Sequence, residues 1–263
     1  MVIVGIETRK DRRVRLPARA FPVVVVFAAL ASVPVQPAAQ ASAHAGDLFG
    51  PACGAATIDG RLSAGEWSGA SRRTFQMRGS GMANALTATL CVMNDGRDLY
   101  LAITINDDEY TTVGTWLPQG DGFRIDFDND HSGSLFALGD EVLDVSAGLP
   151  QWEDCHICLS ASTSARADVD GGGTSDGAGA ASRLNGLNHF ELRHPLCSGD
   201  SKDFCLSAAD TVGFRLEYLD AQADGSFGGS QFFPGSGNSS EAEIVVGHCL
   251  APHRLAYLPL VRK

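Results

Sequence analysis

The 263-residue chain carries 31 acidic against 20 basic side chains, a formal net charge of −11. That balance argues against nucleic acid or an anionic membrane surface as a partner and suits a soluble protein that can hold cations. A chain of this length can bury one substantial core, so one main domain is the expectation.

The first 45 residues read as an export signal. Lys10, Arg12, Arg13, Arg15 and Arg19 precede the apolar run Phe21 to Val33, and small residues follow. Ala39-Gln40-Ala41, Ala41-Ser42-Ala43 and Ala43-His44-Ala45 each fit a small-x-small cleavage site. The run is about 13 residues, short of the roughly 20 that a spanning helix requires. The reading is a signal peptide over 1–45, a domain over 46–250 and a C-terminal tail over 251–263. No membrane insertion is expected after cleavage, and the protein is placed in the periplasm, on the cell surface or in the medium. Cleavage removes basic residues, so the mature chain is more acidic still.

Seven cysteines remain. In an oxidising compartment they are expected to pair, and the odd number leaves one over. Cys197 and Cys205 bracket a short polar loop, and Cys53 and Cys249 sit near the two ends of the domain. Those are the two pairings the spacing suggests.

After the signal, Thr57 to Leu62 reads as a short strand with a turn at Asp59-Gly60, followed by one helical turn capped by Ser63. Trp67 is expected in the core. Residues 86–93 alternate Leu86, Ala88, Leu90 and Val92 with smaller or polar neighbours, Asn94-Asp95-Gly96 is a turn signal, and residues 98–105 alternate again. This predicts a β-hairpin with one buried face. Asn106 to Tyr110 is an acidic loop, and Trp116 lies in a linker with Pro118 and Gly120.

The stretch 121–145 is the organising one. Phe123, Ile125 and Phe127 fall on one face of a strand, with Arg124, Asp126 and Asp128 on the other. It enters an acidic turn, Asn129-Asp130-His131-Ser132-Gly133, and a further strand is expected over Glu141–Val145. Residues 155–163 read as a strand holding Cys155 and Cys158. Residues 168–181 show no apolar face and read as a flexible loop. Val212, Phe214, Leu216 and Tyr218 alternate in another strand, 224–240 reads as a Gly/Ser-rich loop, and Ala242–Val246 closes the domain. No sustained helical periodicity appears. Roughly nine short strands predict an all-β fold, a sandwich of two antiparallel sheets of jelly-roll or immunoglobulin-like type.

Three groups of residues carry a likeness: Ile58-Asp59-Gly60 with Glu66-Trp67; Leu99-Tyr100-Leu101 with Phe127-Asp128-Asn129-Asp130-His131; and Phe190 to Leu196 followed by Ser198-Gly199-Asp200 and Asp203-Phe204. Together they resemble the superfamily of family 9 carbohydrate-binding modules, DOMON domains and the haem-binding gamma subunit of ethylbenzene dehydrogenase. The resemblance covers most of residues 55–247. It implies a β-sandwich, export, a sugar or haem ligand and, in some members, structural calcium.

The residues bear on four ligand chemistries and on a fifth class, catalysis. For calcium, which takes six to eight oxygen ligands, Asp126, Asp128 and Asp130 have the spacing that opens an EF-hand loop, but His131 and Ala137 stand where glycine and the closing glutamate belong. The candidate ligands are Asp128, Asp130 and Asp140, with Asp126 beside them, and they require the chain to curl at Asn129. The alternative is a solvated acidic loop. For sugar, aromatic planes pack against C–H faces while polar groups meet hydroxyls. Trp116 and Trp152 are the candidate platforms, with Tyr110, Arg124 and Gln151 as polar partners. In family 9 modules two tryptophans clasp the sugar, although neither tryptophan here aligns residue by residue. Haem is disfavoured: the gamma-subunit relatives use methionine and lysine, Cys155-His156-Ile157-Cys158 lacks the attachment order, and lysines are few. Zinc could draw on Cys155, His156 and Cys158 with His194 or His248. No catalytic motif appears. The expectation is a secreted, non-catalytic module binding carbohydrate or a cell-surface glycan with a structural calcium. The alternatives are a haem-binding electron-transfer subunit or a structural surface protein.

Overall fold

The structure, a computed structural model, describes residues 47–63, 65–80, 85–114, 119–159 and 164–249. The expected signal peptide, the C-terminal tail and Trp116 lie outside them. The described residues form fourteen strands. In chain order these are β1 (Leu48–Phe49), β2 (Ser71–Gln76), β3 (Arg78–Ser80), β4 (Thr87–Asn94), β5 (Asp98–Ile105), β6 (Gly122–Asp128) and β7 (Glu141–Ser146). Then come β8 (Trp152–Ile157), β9 (Ala165–Ala167), β10 (Ala178–Leu184), β11 (Leu187–Pro195), β12 (Thr211–Ala221), β13 (Phe227–Phe233) and β14 (Ala242–Val245). One short helical turn, α1, spans Asp168–Gly171.

Two sheets result. The smaller has the order β10-β11-β5-β4-β2, antiparallel throughout. The larger runs β1-β14-β12-β6-β7-β8-β9, with β13 and β3 branching from β12. It is antiparallel except where β1 joins β14. The two inner faces supply one core. Phe123, Ile125, Phe127, Leu143, Val145, Phe214, Leu216 and Tyr218 come from the larger sheet, and Leu90, Val92, Leu101, Ile103, Phe190 and Leu192 from the smaller. Phe190 meets Phe123 and Tyr218 across the gap, with ring centroids 6.3 and 6.0 Å apart. The alternation read from the sequence is the alternation that fills this gap, each large buried side chain contributing about 1.5–3 kcal/mol of transfer free energy.

The hairpin β4–β5 is buried on both faces rather than one. Cys91, Met93, Tyr100 and Ala102 point away from the core, and Trp67, Ile58 and Leu62 cover them. Trp67 is buried as expected. Thr57 to Leu62 is not a strand. Its backbone donors are taken by a carboxylate: Asp59, Gly60 and Arg61 donate to Glu191 Oε2 at 3.1, 2.8 and 3.1 Å, and Trp67 Nε1 donates to Glu191 Oε1 at 2.9 Å. A segment whose N–H groups converge on one side chain cannot also ladder with a neighbour.

Two stretches read as loops are strands. β10, from the run AGAASRL, carries small side chains because Trp152 lies against it; a Cβ on Gly179 would meet that ring at 2.8 Å and Val145 at 2.9 Å. β13 pairs with β12 through Phe232, Gln231 and Ser230 despite Gly228-Gly229. Both expected disulfides form, Cys53–Cys249 and Cys197–Cys205. Cys91, Cys155 and Cys158 stay as thiols, so three are left over rather than one.

Candidate functional site

The acidic turn curls as a shared ion requires. His131 takes a positive φ of 51° and donates its N–H to Asp128 O at 3.1 Å, which reverses the chain. Asn129 ties the turn to the start of β7, donating from Nδ2 to Gly139 O and accepting from Glu141 N. One carboxylate oxygen from each of Asp128, Asp130 and Asp140 then falls within 4.8 Å of the others. Burial, opposed by backbone donors from Ala137 and Asn129, pushes the Asp140 carboxyl up to about 6. These are three hard oxygen donors of the kind that calcium takes six to eight of.

Asp126 is not in that group. It faces the outer side of the larger sheet and accepts from Arg215 Nε at 3.2 Å and Nη2 at 2.7 Å. Arg215 is held between the rings of Phe136 and Phe232. Asp126 is on the same strand face as Asp128 but is committed to an ion pair with its cross-strand neighbour Arg215, one step back from the curl.

Arg124 shares that outer face. It forms a two-point pair with Asp144, at 2.8 and 2.7 Å. The cross-strand neighbours make a polar row, Glu217–Arg124–Asp144–Glu153. Trp152 occupies the other face: it pairs in register with Val145, next to Phe123, and its half-buried ring lies on the Gly177–Gly179 backbone. The proposed sugar partners Arg124 and Trp152 therefore sit on opposite sides of one sheet and are not brought together. Gln151 donates to Ala181 O at 3.3 Å, beside Trp152. Half-buried Tyr110 lies near Asp121, and burial followed by that carboxylate raises its phenol to about 12. The loops carrying these residues meet, since Ala147 N donates to Asp121 O and Gly148 N to Gln119 O, each at 2.8 Å.

One group was not anticipated. Glu141 of β7, Asp154 of β8, His194 of β11 and Asp203 of the following loop converge between the sheets. His194 Nε2 lies 3.5 Å from Asp203 Oδ2 and 3.8 Å from Asp154 Oδ2. Burial first, then Asp154 and other nearby acids, raises Glu141 well above the ordinary glutamate range. Beside it His156 Nδ1 contacts Asp168 Oδ1 at 2.7 Å. Cys155, one residue before His156, points the other way into an apolar cluster with Val142 and Ile157. Cys158 Sγ contacts Ser164 O at 3.2 Å. The cysteines thus do not join the histidines in a zinc site of the kind considered from sequence.

No protein-family model matches the sequence. A comparison with curated proteins finds no match either. Solved structures do match. A family 9 carbohydrate-binding module from Caldicellulosiruptor kristjanssonii in complex with cellotriose superposes with a TM-score of 0.54 at 16% identity, covering 76% of this chain and 93% of its own. The complex of a family 9 module from that organism with glucose gives 0.53 at 16%, covering 76% and 95%. A candidate carbohydrate-binding protein from Bacteroides uniformis gives 0.54 at 6%, covering 75% and 98%. The chain has the family 9 carbohydrate-binding module fold.

Within the family 9 fold, the residues that carry the resemblance have structural roles. Ile58-Asp59-Gly60, Glu66-Trp67 and Glu191 form one clasp over the outer face of the smaller sheet. The run from His194 to Asp203 supplies two members of the unanticipated interior group. Met77 and Met93 are buried in separate apolar clusters, and Met82 lies outside the described residues. Among the described residues no helix is long and apolar enough to cross a membrane.

Proposed function

We propose that this protein is an exported, non-catalytic carbohydrate-binding module whose acidic turn at Asp128, Asp130 and Asp140 holds a structural calcium. The observation that carries the reading is the fold, which covers nearly the whole length of modules solved with cellotriose and with glucose. The two disulfides agree with an oxidising compartment.

The binding surface we favour is the end of the sandwich where residues 106–121 meet 146–152. Trp152, Tyr110 and Gln151 lie there, and Trp116 follows Tyr110 by six positions in the sequence. Val113 and Leu149 are 55% and 78% exposed at that end, giving apolar contact for the C–H faces of a sugar ring. Arg124, on the outer sheet face and locked to Asp144, contributes to a sugar site only if a long glycan wraps that edge. A second reading, a structural surface module with no small ligand, is favoured by one observation: the Trp152 ring is already packed on β10.

A glycan array probed with the folded, calcium-replete chain separates the two. Binding of glucose-based oligosaccharides that Trp116→Ala abolishes supports the module. Calcium-dependent melting with no glycan signal supports the structural reading.

A further inference from the structure

We propose that Glu141, Asp154, His194 and Asp203 form a buried site for one divalent transition-metal cation of the zinc or manganese class, separate from the calcium proposed for the acidic turn. The site is built by the fold. Three strands from two different sheets, β7, β8 and β11, each turn one polar side chain inward at positions where their neighbours Leu143, Val145 and Leu192 are core. Asp203 closes the group from the loop that the Cys197–Cys205 disulfide pins. One donor atom from each of the four lies within 4.8 Å of the others.

The second observation is what is missing around them. His194 is fully buried with neither ring nitrogen in hydrogen-bonding geometry, its nearest acceptors being Asp203 Oδ2 at 3.5 Å and Asp154 Oδ2 at 3.8 Å, and no well-formed hydrogen bond reaches the Glu141 oxygens, the Asp203 oxygens or Asp154 Oδ1. A buried carboxylate left without a donor is costly, and several together are more so. No Arg or Lys forms an ion pair with any of the four, among the described residues. A divalent cation at the centre would take one donor atom from each of the four side chains. Four ligands suit the closed tetrahedral geometry of structural zinc. The imidazole shifts preference from calcium towards zinc or manganese, since calcium takes oxygen donors. Asp154 Oδ2 accepts the Asp176 N–H, an outer contact of the kind that orients a metal-binding carboxylate.

The test uses the purified chain with its disulfides intact. It is stripped with EDTA, offered Zn2+, Mn2+ or Ca2+ singly, passed through gel filtration and analysed by elemental mass spectrometry. The expected result is about one zinc or manganese per chain and a raised melting temperature. His194→Gln and Asp203→Asn should each lower retained metal at least tenfold, with Asp224→Asn in an exposed turn as the control that leaves it unchanged. Should those variants fail to fold, nitrogen-15 NMR of the wild-type imidazoles decides: a zinc-dependent shift of the His194 Nε2 signal supports the site and an unmoved signal overturns it. Folded chain that retains no transition metal, retains calcium alone, or retains zinc undiminished in His194→Gln overturns it as well.

Discussion

Glu191 shows how much one side chain can organise. Its carboxylate is buried and accepts from three consecutive backbone N–H groups and an indole. Removing it orphans four donors while the segment 57–67 loses its anchor. Glu191→Ala should cost about 3 kcal/mol or more, read as a lowered denaturant midpoint, and fluorescence of Trp67 should shift to the red as the indole meets water. Asp121, Asp107 and Asp220 form a second buried carboxylate group, where Tyr218 Oη donates to Asp107 Oδ2 at 2.5 Å. Burial, the largest cause in each case, lifts Asp121 to about 7 and Asp220 to about 6. These groups are neutral in both folded and unfolded chain below about pH 4. As pH rises towards 7 the unfolded chain ionises more readily, so the stability they allow at low pH is lost through that window. Asp220→Asn should therefore raise the melting temperature at pH 8 and leave it nearly unchanged at pH 4, as measured by thermal denaturation at the two pH values.

Among the elements, the hairpin β4–β5 was plain from sequence because its inward positions are large aliphatics and Asn94-Asp95-Gly96 marks the turn. β10 and β13 were hidden for physical reasons. β10 lies under an indole that leaves no room for a side chain at Gly179, and β13 carries Gly228-Gly229 straight after Phe227, so neither shows an apolar period. The acidic turn was legible as a cation candidate from its spacing, but the destination of Asp126 was not, because its partner Arg215 lies 89 positions away. The interior group of Glu141, Asp154 and His194 was hidden by its own chemistry: charged letters at inward strand positions read as surface. Only the stretch from His194 to Asp203 gave a signal. The two disulfides should differ in weight. Cys53–Cys249 closes a loop of 196 positions and Cys197–Cys205 one of 8. On chain entropy the first is worth about 5 kcal/mol and the second about 2.5 kcal/mol. Paired Cys→Ser variants compared by urea denaturation should preserve that order.

At the scale of the molecule, the sandwich presents a dense core flanked by a clasp that holds the segment 57–67, by the acidic turn after β6, and by buried acidic groups around His194 and around Asp121. The exposed apolar side chains Val113 and Leu149 lie at one end where loops meet. On the function proposed above, that end is where a rigid scaffold would meet a neutral, hydroxyl-rich ligand. Calorimetric titration of the calcium-replete chain with cellotriose tests this most directly. The account predicts saturable binding that falls at least tenfold in Trp116→Ala while the melting temperature holds; a folded, metal-replete chain that gives no heat with cellotriose or any longer glucan would contradict it.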